Sequence, residues 1–194
     1  MGKIYYKYRD FKCLDRIEAI LKNNEIYASS YMNLNDPMEG LYHLNDTENR
    51  NVIIEQIYSE KNNLKICSFS AKNYDKLMWS HYSDSCKGIV IGVKLKFSPT
   101  KLIYDGRNNF TSTNDARADA KKILSHKNDV WCYEDEYRVF TRNQKVQVEI
   151  VEIFLGMNIS EENEKSIISI CEKIKTIKVY KQQNDYSFIP EYEY

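Results

Sequence analysis

Apolar and polar positions along the chain change period repeatedly, and the periods predict interleaved strands and helices rather than one repeated unit. Ile4 to Arg9 is β-prone, and Leu14, Ile17, Ile20 and Leu21 follow at helical spacing until Asn23 and Asn24 break the pattern. Ile26 to Ser29 reads as a second strand. Asn33, Leu34, Asn35, Asp36 and Pro37 then form a turn-rich loop, because the residue before proline avoids the helical region. A helix over 49–60 presents Val52, Ile53, Ile57 and Tyr58 as its apolar positions. Leu64 to Ser70 reads as a strand, Asp75 to Ser83 as a short helix capped by Asp75, and Gly88 to Phe97 as a buried strand. Lys101 to Tyr104 predicts a strand, 115–126 a helix, 130–142 a strand, and Val146 to Leu155 a strand closed by Gly156. Ser160 caps a helix carrying Ile167, Ile168, Cys171 and Ile174, and Ile177 to Tyr180 returns as the last strand. The expected architecture is α+β: a single domain over 1–194 with a mixed or mostly antiparallel sheet and packed helices. Its motifs fall within 3–155, and 156–194 supply a C-terminal helix and strand packed on the same body.

Composition narrows the partners. The chain has 194 residues, enough for one sizeable core, and its 28 Lys and Arg balance 28 Asp and Glu. No global positive field draws it to nucleic acid or an anionic membrane. Cys13, Cys67, Cys86, Cys132 and Cys171 form no CxxC pair, and an odd number fits neither a disulfide framework nor a zinc site, so they are expected to be mostly buried thiols. No signal-like start and no membrane-spanning apolar run is present, which makes the cytoplasm the expected compartment. The 16 tyrosines, with abundant Asn, Lys and Ile, fit an A/T-rich coding bias better than a set of binding surfaces.

The segment Trp131 to Phe140 carries the densest chemistry. Read as a strand, it points Glu134, Glu136 and Arg138 one way and Tyr133, Tyr137 and Val139 the other. Two carboxylates that close repel unless a cation, a donor or a substrate lies between them, which is how sites shift pKa values. Arg9, behind the alternation Tyr6 and Tyr8, is a rigidly placed guanidinium able to clamp a phosphate or carboxylate. Ser68 and Ser70 end a strand with both hydroxyls on one face and Phe69 on the other. On the short helix that follows, Trp79 and Tyr82 share a face, and His81 is a candidate general acid or base. His43 and His126 lack ligand partners at metal-binding spacing, and a carboxylate site from Asp36, Glu39, Glu134 and Glu136 is the weaker alternative. No Walker A, GxGxxG, GxSxG or HExxH pattern occurs.

Five groups of residues occur in one order: Tyr6-Lys7-Tyr8-Arg9; Asn35-Asp36-Pro37 with Glu39; Ser68-Phe69-Ser70; Met78-Trp79 with His81-Tyr82 and Gly88; and Trp131 with Tyr133, Glu134, Glu136, Tyr137 and Arg138. In that order the chain resembles, over roughly 3–155, the bacterial and phage family catalogued as domain of unknown function 2971. That resemblance implies a bacterial or phage intracellular protein, often carried on mobile DNA, and no activity. More distantly, an Arg on the first strand, Ser-x-Ser ending a strand and Glu-x-Glu later is similar to the arginine-serine-glutamate ADP-ribosyltransferases.

That second resemblance implies NAD as the cofactor, with no metal. Arg9 would hold its phosphates or ribose, Ser68 and Ser70 would support the nicotinamide ribose, and Tyr82 and Arg138 would join the cofactor-binding set. Glu136 would bond the ribose 2′-hydroxyl and stabilise the oxocarbenium ion, Glu134 would orient or deprotonate an acceptor, and Asn35 and Asp36 would contact substrate. The departures are Phe69 between the serines, a helix bearing Trp79, His81 and Tyr82 outside the transferase signature, and Arg138 on the face of Glu136. The leading expectation is an NAD-dependent ADP-ribosyltransferase-like enzyme or NAD glycohydrolase in phage–host conflict, with an acceptor protein or nucleic acid and no membrane. The alternatives are a nucleotide- or protein-binding module without turnover, and a metal-dependent nuclease-like hydrolase using Asp36, Glu134 and Glu136.

Overall fold

The β-prone start of the chain becomes an inner strand of the main sheet, flanked by two strands from distant segments of the chain. The computed structural model describes residues 2–12, 14–45, 48–106, 109–174 and 176–192, with residues 191 and 192 described by backbone alone. The first third holds β1 (Ile4–Arg9), α1 (Leu14–Asn23), β2 (Glu25–Tyr27), a 3-10 turn at Tyr31–Asn33, β3 (His43–Leu44), α2 (Arg50–Asn63) and β4 (Lys65–Ser70). The middle holds α3 (Lys76–Tyr82), β5 (Ile89–Lys94), β6 (Thr100–Lys101), β7 (Ile103–Tyr104), β8 (Asn109–Phe110), α4 (Ala116–Ile123) and β9 (His126–Lys127). A 3-10 helix at Asp129–Glu134 leads to β10 (Glu136–Thr141), β11 (Lys145–Gln147), β12 (Glu149–Leu155), α5 (Glu161–Ile174), β13 (Lys178–Gln182) and β14 (Phe188–Tyr192).

Eight strands form one sheet in the order β14-β13-β12-β5-β1-β4-β10-β6, antiparallel throughout except for β12 with β13. With helices packed on that sheet, the fold is α+β. On one face, α1 and α5 bury Ile17, Leu21, Ile167 and Cys171 against Phe69, Ile91, Val139 and Ile153. On the other, Trp79 of α3 packs with Tyr8, Val90 and Phe154, while α4 sets Ala120 and Leu124 on Ile66. β5 is therefore covered on both faces, which is why its sequence is a continuous apolar run rather than an alternation. Gly88 lets β1 end close beside the turn before β5. A Cβ there would lie 2.0 Å from the Arg9 carbonyl oxygen.

Several boundaries differ from the sequence-based expectation. The predicted strand over 130–142 begins only at Glu136, because Asn128 caps a 3-10 helix by accepting the Val130 N–H, and Asp135 then turns the chain at φ 40°. The stretch Val146 to Leu155 is two strands: β11 pairs with β2 and β12 with β5. Lys101 to Tyr104 likewise splits, with β6 on β10 and β7 on β9. In α2, Ile57 is buried, but Val52 and Tyr58 are 53% and 55% exposed, since that helix packs through a narrow stripe. Cys67, Cys86 and Cys171 are buried thiols and Cys132 is exposed; Cys13 lies outside the described residues. Trp79 is wholly enclosed, whereas Trp131 is only partly so. Among the described residues no helix is long and apolar enough to cross a membrane.

Candidate functional site

The site lies where the sheet parts. β1 pairs with β5 along its whole length, from Ile4↔Lys94 to Arg9↔Ile89, and β4 pairs with β10 from Lys65↔Thr141 to Ser70↔Glu136. Between β1 and β4 the register is the single bridge Tyr6↔Ser70. Past it, the edge of β4 finds other partners: the Ser68 carbonyl accepts from Lys7 Nζ at 2.6 Å, and Ile66 exchanges backbone bonds of 2.7 and 2.8 Å with Ser29. A cavity of about 320 Å³ occupies the parting, lined by Lys7 and Arg9 of β1, Ser68 and Ser70 of β4, and Glu136 and Arg138 of β10. Tyr82 of α3, Asn35, Lys127 and Glu134 complete its chemistry.

One wall is a network of ions, in which Glu39 Oε2 is buried without a hydrogen bond among the described residues. Arg138 donates from Nε to Glu136 Oε1 at 2.7 Å, from Nη2 to Glu136 Oε2 at 3.0 Å, and from Nη1 to the Leu124 carbonyl at 2.7 Å and to Glu39 Oε1. Lys127 Nζ bridges Glu134 Oε2 at 2.6 Å and Glu136 Oε2 at 3.2 Å, and Tyr82 Oη donates to Glu134 Oε1 at 2.5 Å. All three carboxylates and both cations are buried. Glu39 arrives on the 31–42 loop, which Lys61 ties down by donating to the Gly40 carbonyl at 2.6 Å beneath the rings of Tyr31 and Tyr42. Glu136 is fixed by its own backbone N–H, which donates to Tyr104 Oη at 2.7 Å.

These contacts separate the two acids. Burial pushes the Glu136 carboxyl up, but the charge and hydrogen bonds of Arg138, helped by Lys127 and the nearby Ser68 hydroxyl, hold it down at about 2. Glu134 is raised by burial and by the neighbouring Glu136, against the pull of Lys127 and Tyr82. Glu136 is thus fixed as an anion, and Glu134 is the group whose proton is more readily held.

The opposite wall has cations without carboxylates. Arg9 is enclosed by protein yet open to the cavity, and it makes no ion pair or hydrogen bond among the described residues; burial lowers its pKa. Lys7, also deep but reached from the cavity, donates among the described residues only to the Ser68 carbonyl. Burial, with repulsion from Arg9, lowers its ammonium to about 8.

The structure therefore brings Arg9, Ser68, Ser70, Tyr82, Glu134, Glu136, Arg138 and Asn35 to one cavity. Glu134 comes not by strand alternation but from the end of the 3-10 helix. Ser70 Oγ accepts from the Lys72 N–H at 3.0 Å, so it closes a turn, and Ser68 Oγ is buried without a hydrogen bond of normal geometry. His81 does not reach the acids. It is exposed, with Nδ1 3.2 Å from Tyr133 Oη, and lines an adjoining outer cavity of about 410 Å³ with Trp131 and Asp10. Tyr8, Arg9, Asn35 and Tyr82 belong to both cavities. Asp36 is also apart: it accepts from the Met38 N–H at 2.9 Å and faces a separate cavity of about 250 Å³. Among the described residues no group of three or more His, Cys, Asp or Glu is arranged to hold a metal, and the quartet Asp36, Glu39, Glu134 and Glu136 is divided by Lys127 and Arg138.

Sequence reasoning missed Lys7 and Lys127 and did not foresee that Glu39 is a partner of Arg138. Lys7 had a signal, its alternation with Arg9 on a strand; Lys127 and the Glu39–Arg138 pair had none. No family model, no curated protein and no solved structure matches the chain.

Proposed function

We propose that the cavity binds a dinucleotide of the NAD class and acts on its nicotinamide ribose, transferring ADP-ribose or releasing nicotinamide. The observation that carries this reading is Arg9, a largely enclosed residue with no hydrogen bond or ion pair among the described residues, which lines the inner and outer cavities and also a third of about 750 Å³ beside Asp10 and Arg16. A guanidinium so placed offers two parallel charge-assisted bonds to a diphosphate, with one nucleoside to either side. The inner volume of about 320 Å³ is at the small end of ligand pockets and suits one nucleoside half. The outer cavity offers the rings of Trp131 and His81 to a base. In the inner half, Glu136 meets the positive charge that develops at the anomeric carbon as nicotinamide departs. Because Arg138 and Lys127 already compensate Glu136, Glu134 takes the larger share of the chemistry as the carboxyl able to exchange a proton with the acceptor. Cytoplasmic action in phage–host conflict belongs to this reading through the family resemblance.

A binding module without turnover is the second reading, favoured by that same compensation: each oxygen of Glu134 and Glu136 already accepts a hydrogen bond. Calorimetric titration with NAD beside measurement of released nicotinamide separates the two. Glu134→Gln is expected to keep binding and lose release, and Arg9→Ala to weaken binding by about 1.5 to 3 kcal/mol. Binding without release in the wild-type protein selects the module, and absence of binding overturns NAD as the ligand of either reading.

A further inference from the structure

We propose that Lys7 completes, with Arg9, a two-pronged site at the root of the cavity that takes a doubly charged phosphate group. The inference deepens the reading above by naming what anchors the ligand, and it rests on that reading only for the nucleoside that follows the phosphate.

Lys7 occupies the position of a missing sheet hydrogen bond. Where β1 and β4 part, its ammonium reaches across and donates to the Ser68 carbonyl at 2.6 Å. An ammonium has three N–H donors, and this bond uses one. The Phe69 ring stands 5.9 Å away and supplies only a weak second contact. Arg9, two residues on along the same strand, makes no hydrogen bond or ion pair among the described residues; Asp10 attracts it at longer range and Arg16 repels it. Two adjacent enclosed cations repel each other and have lost much of their hydration, so they persist together at a cost that an anion between them relieves.

The other charges facing Lys7 do not fill that role. Glu134 from the 3-10 helix and Glu136 from β10 attract it at longer range, but their oxygens are bound by Lys127, Tyr82 and Arg138. The Cys67 thiol of β4 is itself raised by burial and so is not an anion near neutrality. A carboxylate ligand brings one charge and leaves one cation uncompensated. A tetrahedral phosphate dianion offers separate oxygens to the guanidinium and the ammonium. A phosphate monoester, a diphosphate and inorganic phosphate share this chemistry.

The test titrates the intact protein with inorganic phosphate, ADP-ribose and acetate from pH 7.5 to 9.5. The free Lys7 ammonium titrates at about 8. A bound anion raises it, so above pH 8 binding takes up a proton, and affinity is expected to fall by about tenfold per pH unit. Lys7→Arg is expected to bind phosphate without that slope. Lys7→Met is expected to lose at least about tenfold in affinity; rescue by Lys7→Arg excludes simple loss of fold. Glu134→Gln retains the slope if Lys7 is its source. Phosphate affinity that is flat with pH in the wild type, wild-type affinity in Lys7→Met, or acetate binding as tightly as phosphate overturns the proposal. The slope with phosphate and ADP-ribose but no nicotinamide release overturns the transferase reading and leaves the anion site standing; NAD turnover without the slope does the reverse.

Discussion

Replacing Arg138 by Met removes the cation around which the buried acids are arranged. Its side chain is 1% exposed, and those of Glu136 and Glu39 are 5% and 2% exposed, so little solvent screens these charges. The variant loses two bonds to Glu136, one to Glu39 and one to the Leu124 carbonyl, and leaves the carboxylates buried with Lys127 as the remaining cation bonded to Glu134 and Glu136 among the described residues. Breaking a buried pair in this way costs about 3 to 5 kcal/mol. The depressed pKa of Glu136 gives an independent figure. A fall from its ordinary 4.5 to about 2 corresponds to stability on the order of 3 kcal/mol. The sign follows from the direction. A carboxyl lowered by folding stabilises above its unfolded pKa, and that contribution is lost as pH falls from about 4.5 through about 2. In Arg138→Met burial dominates and the carboxyl rises, so acid then relieves the variant. Urea denaturation at pH 7 and pH 4 is expected to show a deficit of about 3 to 5 kcal/mol at neutrality that shrinks at the lower pH. A deficit under about 1 kcal/mol at pH 7, or one equal at both values, would refute the claim that Arg138 compensates these acids.

Trp79→Ala should cost about 3 to 5 kcal/mol in the same assay, because the ring is wholly enclosed between Tyr8, Val90 and Phe154; a variant melting with the wild type contradicts that burial. Gly88→Ala should sharply reduce soluble yield and melting temperature, since the new methyl meets the Arg9 carbonyl at 2.0 Å, and a normal melting curve would show that β1 does not end as described. Tyr82→Phe removes the donor to Glu134 Oε1, a bond that lowers the Glu134 pKa, so an NMR titration of that carboxyl should move further upward; no movement, or a downward one, contradicts the hydrogen bond.

Local physics was legible in the chain. Leu14, Ile17 and Leu21 predicted α1, and Asn24 ended it in a left-handed conformation at φ 54°. Asp75 was readable as a cap because its carboxylate needs only the N–H groups of Leu77 and Met78, two and three residues on. The unbroken apolar run of β5 announced a strand covered on both faces, and Arg9, Glu134, Glu136 and Arg138 were singled out from residue type and spacing. What the sequence alone could not carry were contacts between residues far apart along it. Glu39 meets Arg138 across 99 positions, and neither residue's neighbours encode the other. The strand expected through Glu134 gave way to a 3-10 helix because β9, the Asn128 cap and the turn at Asp135 together set where β10 begins. Lys7 became a site residue only because β1 and β4 share one bridge and then separate. Strand parting is decided by what else takes the shared edge, here Ser29 and the Lys7 ammonium on the side of β4 that faces β1, and that competition exists only once the whole sheet has assembled.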